Sequence, residues 1–244
     1  MAWQEPRITW TAADGVRDTD FNRIEGNTLE LYNETARETR TIYVNASTGN
    51  DTTGVGSASA PYATITKALA MAPKNLNGKT CTIQIAPGTY NENVVVAGSR
   101  NGIVTFASNA FNSAVTIQGI TVENCGALEI KDMALYMLGT ILVRRNSSLI
   151  STANIIHQGR GTALEAAFNS MAQIFEITIS DTFPTQTGIQ ANSNSRVAVS
   201  SIKGAASNYT LYASGGGVIA YNNNTATGPL YTASGGRLYT GSQV

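Results

Sequence analysis

Beyond residue 90 the chain carries few carboxylates: Glu92, Glu123, Glu129, Asp132, Glu165, Glu176 and Asp181. Hydrolysis of a glycosidic bond needs two of them at a set separation, one to protonate the leaving oxygen and one to attack or to activate water. Asp132 lies twelve residues past Ile120, Glu176 twelve past Leu164, and Asn154 is equivalent between them. If those positions repeat in a stacked fold, the two carboxylates stand about two rungs apart, roughly 9–10 Å, near the upper limit for an inverting pair. One spacing coincidence is thin support, and solvated face residues account for both acids. An enzyme, if this is one, is a glycan-degrading hydrolase, and the non-enzymatic reading is preferred.

Other chemistry has less to build on. His157 is the sole histidine, which leaves no material for a catalytic triad or a His-rich metal site, and a surface or turn position is expected for it. Arg144 and Arg145 form a local pair better suited to a subunit or solvent contact than to clamping phosphate. No cofactor and no metal is implied. Tyrosine is more informative. Tyr209, Tyr212, Tyr221, Tyr231 and Tyr239 crowd the end of the chain and make up half of its 10 tyrosines. Aromatic faces among Asn and Ser suit sugar rings, which offer apolar C–H faces and hydroxyl rims. A subunit interface or an aromatic ladder that stiffens the tip is the competing reading of the same five residues.

What would position these groups is a repeat. An apolar residue followed six positions later by Gly or Ser, and eight later by a second apolar residue, recurs along the chain. The first members are Val96, Ile120, Leu142, Leu164, Ile189, Leu211 and Leu230. The small residues are Gly102, Gly126, Ser148, Ser170, Ser195, Gly217 and Gly236. The second apolar set is Val104, Leu128, Ile150, Ala172, Val197, Ile219 and Leu238. A period near 22 residues is one coil of a β-solenoid, with the small residue at a turn between sheets. Alternate residues then point inward, and equivalent positions stack at about 4.8 Å. The expected fold is all-β, a right-handed single-stranded parallel β-helix. In this register Tyr212 and Tyr231 are equivalent and stack on one outward face. A solenoid needs its strand edges covered. Ile65, Ala68, Leu69 and Ala72 share one helical face between Pro61 and Pro73 and predict a capping helix, whereas no cap is visible at the other end.

Charge divides the chain. Residues 1–40 are rich in Asp, Glu and Arg, while the protein as a whole is only 13% charged and has zero net charge. No basic run supports nucleic acid or an anionic membrane as partner, and no apolar run is long enough for membrane insertion. The polar start predicts no secretory leader, and Cys81 and Cys125 read as free, buried thiols compatible with folding in a reducing cytoplasm. Within the first region Asp18, Thr19 and Asp20 offer a helix N-terminus, followed by Phe21, Ile24, Thr28, Leu31 and Thr35 at 3-4-3-4 spacing. Such a seam serves either a packed amphipathic helix or a trimerising collar. Trp3, Ile8 and Trp10 ahead of it form an apolar docking cluster. The division expected is 1–40, an attachment segment with a trimerising helix, and 41–244, the β-helix.

Two stretches resemble known families. Tyr43-Val44-Asn45, Gly49-Asn50-Asp51, Ala60-Pro61-Tyr62-Ala63-Thr64-Ile65 and Ile85-Ala86-Pro87-Gly88-Thr89-Tyr90 resemble the opening of the pectate-lyase-like β-helix superfamily. That resemblance implies an opening strand, a polar loop, the capping helix and the first coil. The calcium-binding acidic cluster of the lyases has no counterpart here. Ile8-Thr9-Trp10-Thr11-Ala12-Ala13-Asp14-Gly15 and Asp18-Thr19-Asp20-Phe21-Asn22-Arg23-Ile24-Glu25-Gly26-Asn27 resemble the attachment segment of tailed-bacteriophage tail spikes and tail fibres. Gly235-Gly236-Arg237-Leu238-Tyr239-Thr240-Gly241 resembles their endings. The resemblance implies a homotrimer in the virion, assembled in the host cytoplasm, docked on a tail or baseplate protein and directed at a host surface carbohydrate. A purely structural spike and a polysaccharide depolymerase are the alternatives.

Overall fold

The computed structural model describes residues 11, 15, 17–34, 38–98, 101–108, 113–179, 187–204, 206 and 209–240, with the side chains of residues 30–34 and 209 left aside. Its strands, numbered in chain order, form one parallel system of three faces. The first face stacks β1 (Arg40–Val44), β2 (Thr80–Ile85), β4 (Ile103–Ser108) and β6 (Ala127–Lys131). It continues with the opening halves of β9 (Ser148–His157), β11 (Met171–Ile179), β13 (Arg196–Gly204) and β15 (Val218–Asn224), and ends on β17 (Arg237–Thr240). The second face stacks the opening halves of β3 (Gly88–Ala97) and β5 (Ser113–Glu123), then β7 (Met133–Met137) and the closing halves of β9, β11, β13 and β15. The third takes the closing halves of β3 and β5, then β8 (Ile141–Arg144), β10 (Thr162–Ala167), β12 (Thr187–Ala191), β14 (Tyr209–Ala213) and β16 (Leu230–Thr232). This is the parallel β-helix that the repeat predicts.

The period-2 pattern drives it. In β2 the residues Cys81, Ile83 and Ile85 are fully buried while Thr80, Thr82 and Gln84 are not. Stacking repeats that choice rung after rung, so that Val104, Leu128, Leu149, Ala172, Val197 and Ile219 form one buried ladder. Each Val, Leu or Ile among them contributes about 1.5–3 kcal/mol by leaving water, and Ala172 less. Cys81 and Cys125 are both buried.

The register corrects the expected repeat in two places. In the third coil Ile141, Ser147 and Leu149 occupy the repeat positions, not Leu142, Ser148 and Ile150. Both triplets satisfy the six-and-eight spacing, but a one-residue slip exchanges the two faces of a strand. Leu149 is accordingly buried and Ile150 is 36% exposed. In the first coil Val94, not Val96, pairs with Ile120. That slip of two keeps the face, and both valines are buried.

The corners between the third and first faces share one design. Two consecutive residues take positive φ at Arg145 and Asn146, Phe168 and Asn169, Ser193 and Asn194, then Gly215 and Gly216. This is the type I′ geometry that Asn and Gly accept most readily. After each corner comes a small residue. A Cβ at Gly217 would collide with the Ala191 carbonyl of the rung below. Ser147, Ser170 and Ser195 occupy the equivalent place lower down, all buried, and their hydroxyls accept from the backbone N–H of Cys125, Ser147 and Ser170.

Helix α1 (Asp18–Glu34) opens as its acidic residues predict, with Asp20 accepting from the Arg17 N–H at 3.1 Å and pairing with Arg23 at 3.4 Å. Of the expected seam, Phe21 and Ile24 are 58% and 55% exposed, Thr28 is exposed and donates to the Ile24 carbonyl, and the side chains of Leu31 and Thr35 lie outside the described residues. So do Trp3, Ile8 and Trp10. Helix α2 (Ile65–Met71) closes the N-terminal end of the solenoid. Ile65, Ala68, Leu69 and Ala72 are buried beneath it, as their shared face predicts.

Candidate functional site

On the third face, β14 and β16 pair Tyr212 with Tyr231, one step after the buried Leu211. The side chain after an inward leucine must point outward, so rung stacking brings the two rings together. Their centroids are 5.5 Å apart with planes inclined 19°, and Tyr231 is 43% exposed. Offset-stacked rings of this kind form a flat, rigid apolar platform with a hydroxyl at its edge. Tyr239 and Tyr221 belong elsewhere. They sit on the first face, Tyr239 paired with Ala220, and Tyr221 paired with Val199 and Thr240 and packed against the core. The Tyr209 side chain lies outside the described residues. The five tyrosines therefore do not form one patch.

The acid pair does not assemble in the expected register. Glu176 pairs with Asn154 as predicted, but Asn154 pairs with Ala134 and not with Asp132. Asp132 occupies the turn between β6 and β7 at φ +58, where the connection holds one more residue than its counterpart in β9. Glu176 accepts from Lys203 Nζ at 2.6 Å, so its carboxylate is engaged by a neighbouring rung. Arg144 and Arg145 both reach Glu123, at 2.9 and 3.3 Å. They tie adjacent rungs together.

His157 is not a surface or turn residue. It ends β9 facing inward, stacked between Met137 and Ile179, and is fully buried with no hydrogen-bond partner on either ring nitrogen among the described residues. Burial pushes its pKa down to about 4, so the ring is neutral near pH 7. Its place in the strand, two steps after the inward Ile155, is the signal that locates it.

A groove of about 420 Å³ opens where β9, β11, β13 and β15 bend from the first face to the second. One row along it runs Ile150, Gln173, Ala198, Ala220; beside it stand Thr152, Phe175, Ser200 and Asn222. Phe175 is 57% exposed at the register shift between Ile174 and Glu176. Sequence reasoning passes over this site because the slipped frame assigns Ile150 to the core. The available signal is an aromatic in the polar phase of Met171-Ala172-Gln173-Ile174-Phe175-Glu176.

The most elaborate polar cluster is structural and surrounds the start of α2. The Asp51 carboxylate accepts from the N–H groups of Ala63 and Thr64 and from the Thr64 hydroxyl at 2.7 Å. Burial works to raise the Asp51 pKa, but these bonds outweigh it and hold the carboxyl below its ordinary range. Glu92 accepts from the N–H groups of Ile65 and Thr66, both at 2.9 Å. Tyr90 donates to the Ala86 carbonyl at 2.8 Å, and burial, helped by the charge of Glu92, pushes its pKa up to about 12. This cluster is also where the chain meets known sequences. Residues 47–97 match a family described as protein of unknown function, DUF1565. The matched stretch runs from the loop of Asp51 through α2 to the end of β3, which is the cap and the first coil. Neither the curated proteins nor the solved structures contain a match to the chain. Among the described residues, no group of three or more His, Cys, Asp or Glu side chains could hold a metal ion.

Proposed function

We propose that the chain is a homotrimeric tail appendage of a tailed bacteriophage, docked on the tail or baseplate through its N-terminal segment, and that its solenoid binds a carbohydrate of the host surface. The observation that carries the binding half is the Tyr212–Tyr231 platform, exposed on the terminal rungs at the end opposite the capping helix. Rigid stacked aromatics present a large contact area at little entropic cost, and sugar C–H faces match them. The assembly half is supported by Phe21 and Ile24, whose exposure on α1 leaves an apolar seam for other copies. The phage setting follows from the resemblance of residues 8–27 and 235–241 to tail-protein segments. Binding rather than hydrolysis is favoured, because Glu176 is tied to Lys203 and Asp132 is out of register with it.

Light scattering on the full chain tests the assembly: a trimer is expected, and Phe21→Ser with Ile24→Ser lowers the mass toward one chain. A monomer at micromolar concentration would remove the appendage model. Retention of the protein by host cells tests the binding, with Tyr231→Ala reducing it. A trimer that no host surface retains would leave a purely structural spike.

A further inference from the structure

We infer that the groove across β9, β11, β13 and β15 is a second carbohydrate site, built for an uncharged sugar chain that runs along the solenoid axis; this rests on the glycan-binding reading above. The groove follows the stacking direction, so it offers the same kind of position again at every rung, about 4.8 Å further along. A linear polymer of pyranose rings repeats at a comparable step, which lets successive rings meet successive rungs.

The walls match that ligand chemically. Phe175 stands in the groove 57% exposed, and Ile150 beside it is 36% exposed. An aromatic face held out of the core at a bend is a stacking surface for a ring C–H face. On the following rungs the positions equivalent to Phe175 are Ser200 and Asn222, and the row next to them is Ala198 and Ala220. Small side chains there leave room above the floor. Gln173, Ser200 and Asn222 supply neutral donors and acceptors for hydroxyl groups. Among the described residues the lining carries no Lys, Arg, Asp or Glu, so an acidic glycan or a phosphate-rich polymer finds no counter-charge there. This site lies on a different face from the Tyr212–Tyr231 platform, so the two can be removed separately.

The test uses the full chain in affinity electrophoresis through gels holding an uncharged polymer (dextran, mannan or galactan) or a charged one (polygalacturonate, dextran sulfate). Three variants are compared with the parent: Phe175→Ala, Ser200→Trp and Tyr231→Ala. Positions 175, 200 and 231 face solvent, and melting within a few degrees of the parent confirms that the fold is kept. Expected is retardation by at least one uncharged polymer and by neither charged one, weakened about tenfold in Phe175→Ala and in Ser200→Trp, the size of one lost ring contact. Retardation that responds to Tyr231→Ala but to neither groove variant overturns the groove and leaves the glycan reading standing. Retardation by charged polymers alone overturns the groove's selectivity. No retardation by any polymer overturns the groove and the glycan reading together. A fall in the oligomer mass of Phe175→Ala, read by light scattering, overturns it in favour of a contact between copies of this chain.

Discussion

The two ends of the solenoid solve the same problem in opposite ways. At the N-terminal end, α2 lies over the first coil, its apolar face is buried, Glu92 takes the N–H groups of Ile65 and Thr66 in its first turn, and Asp51 holds the N-cap Thr64. At the C-terminal end β16 is exposed throughout and β17 only partly covered. Leu230 and Tyr231 stand 46% and 43% exposed, at positions where lower rungs bury or half-bury their equivalents. A helix with a polar clamp at its start covers one edge. Around the other, Leu230 and Tyr231 are exposed. The end that matches a known family is the one whose geometry is fixed by internal bonds.

The contrast is sharpest in a pair of truncations. Ile65→Ala removes a fully buried side chain from under the cap and costs about 2–5 kcal/mol, whereas Leu230→Ala at the open end costs less than about 1 kcal/mol. Urea denaturation measures both, and equal losses would mean that the open end is covered in solution. The next effect is one of pH. The His157 pKa is lowered from 6.5 to about 4 in the fold, so the unfolded chain takes up its proton first as pH falls. Stability is unaffected by this group above pH 6.5 and declines between 6.5 and 4, by about 3 kcal/mol in all. His157→Met removes that decline, read as the difference in urea midpoint between pH 7 and pH 4. An unchanged pH response in the variant would show that the imidazole is hydrated in the folded protein.

Smaller effects separate the clamp from the platform. Glu92→Ala strips two acceptors from the start of α2 and costs about 1–2 kcal/mol, with faster hydrogen exchange confined to α2 and the first coil. Exchange rising equally at the far end would show that the coils open as one unit. Last, Tyr231→Ala loses one ring of the stack and costs about 0.5–1 kcal/mol. A larger loss would assign the platform to holding the tip together.

How much of this could be read beforehand follows from which forces act locally. The helix face of Ile65, Ala68, Leu69 and Ala72 and its stop at Pro73 are short-range features, and they appear where the sequence places them. Period and fold class are legible because the same choice of inward residue is made in every coil. The phase within one coil is not, since Ile141-Ser147-Leu149 and Leu142-Ser148-Ile150 fit one template and only stacking on Leu128 chooses. That same slip hides the groove by placing Ile150 in the core. Asp132 fails for a related reason: an added residue at a left-handed turn shifts the coil after it. His157 reads as polar and exposed by composition, while its neighbours Ile155 and Ile156 alternate inward and outward and settle its side by position.

The stacked serines carry a direction. Cys125, Ser147 and Ser170 each donate their backbone N–H to a hydroxyl that arrives one coil later in the chain. A coil laid down in this stretch therefore has an unmet donor until its successor docks. From Ser195 onward the corner closes on itself, with Ser195, Gly217 and Gly236 donating to the carbonyls of Asn192, Ser214 and Ala233 in their own turns. Each coil along the serine stretch is thus completed only by the one that follows it, whereas the later corners complete themselves.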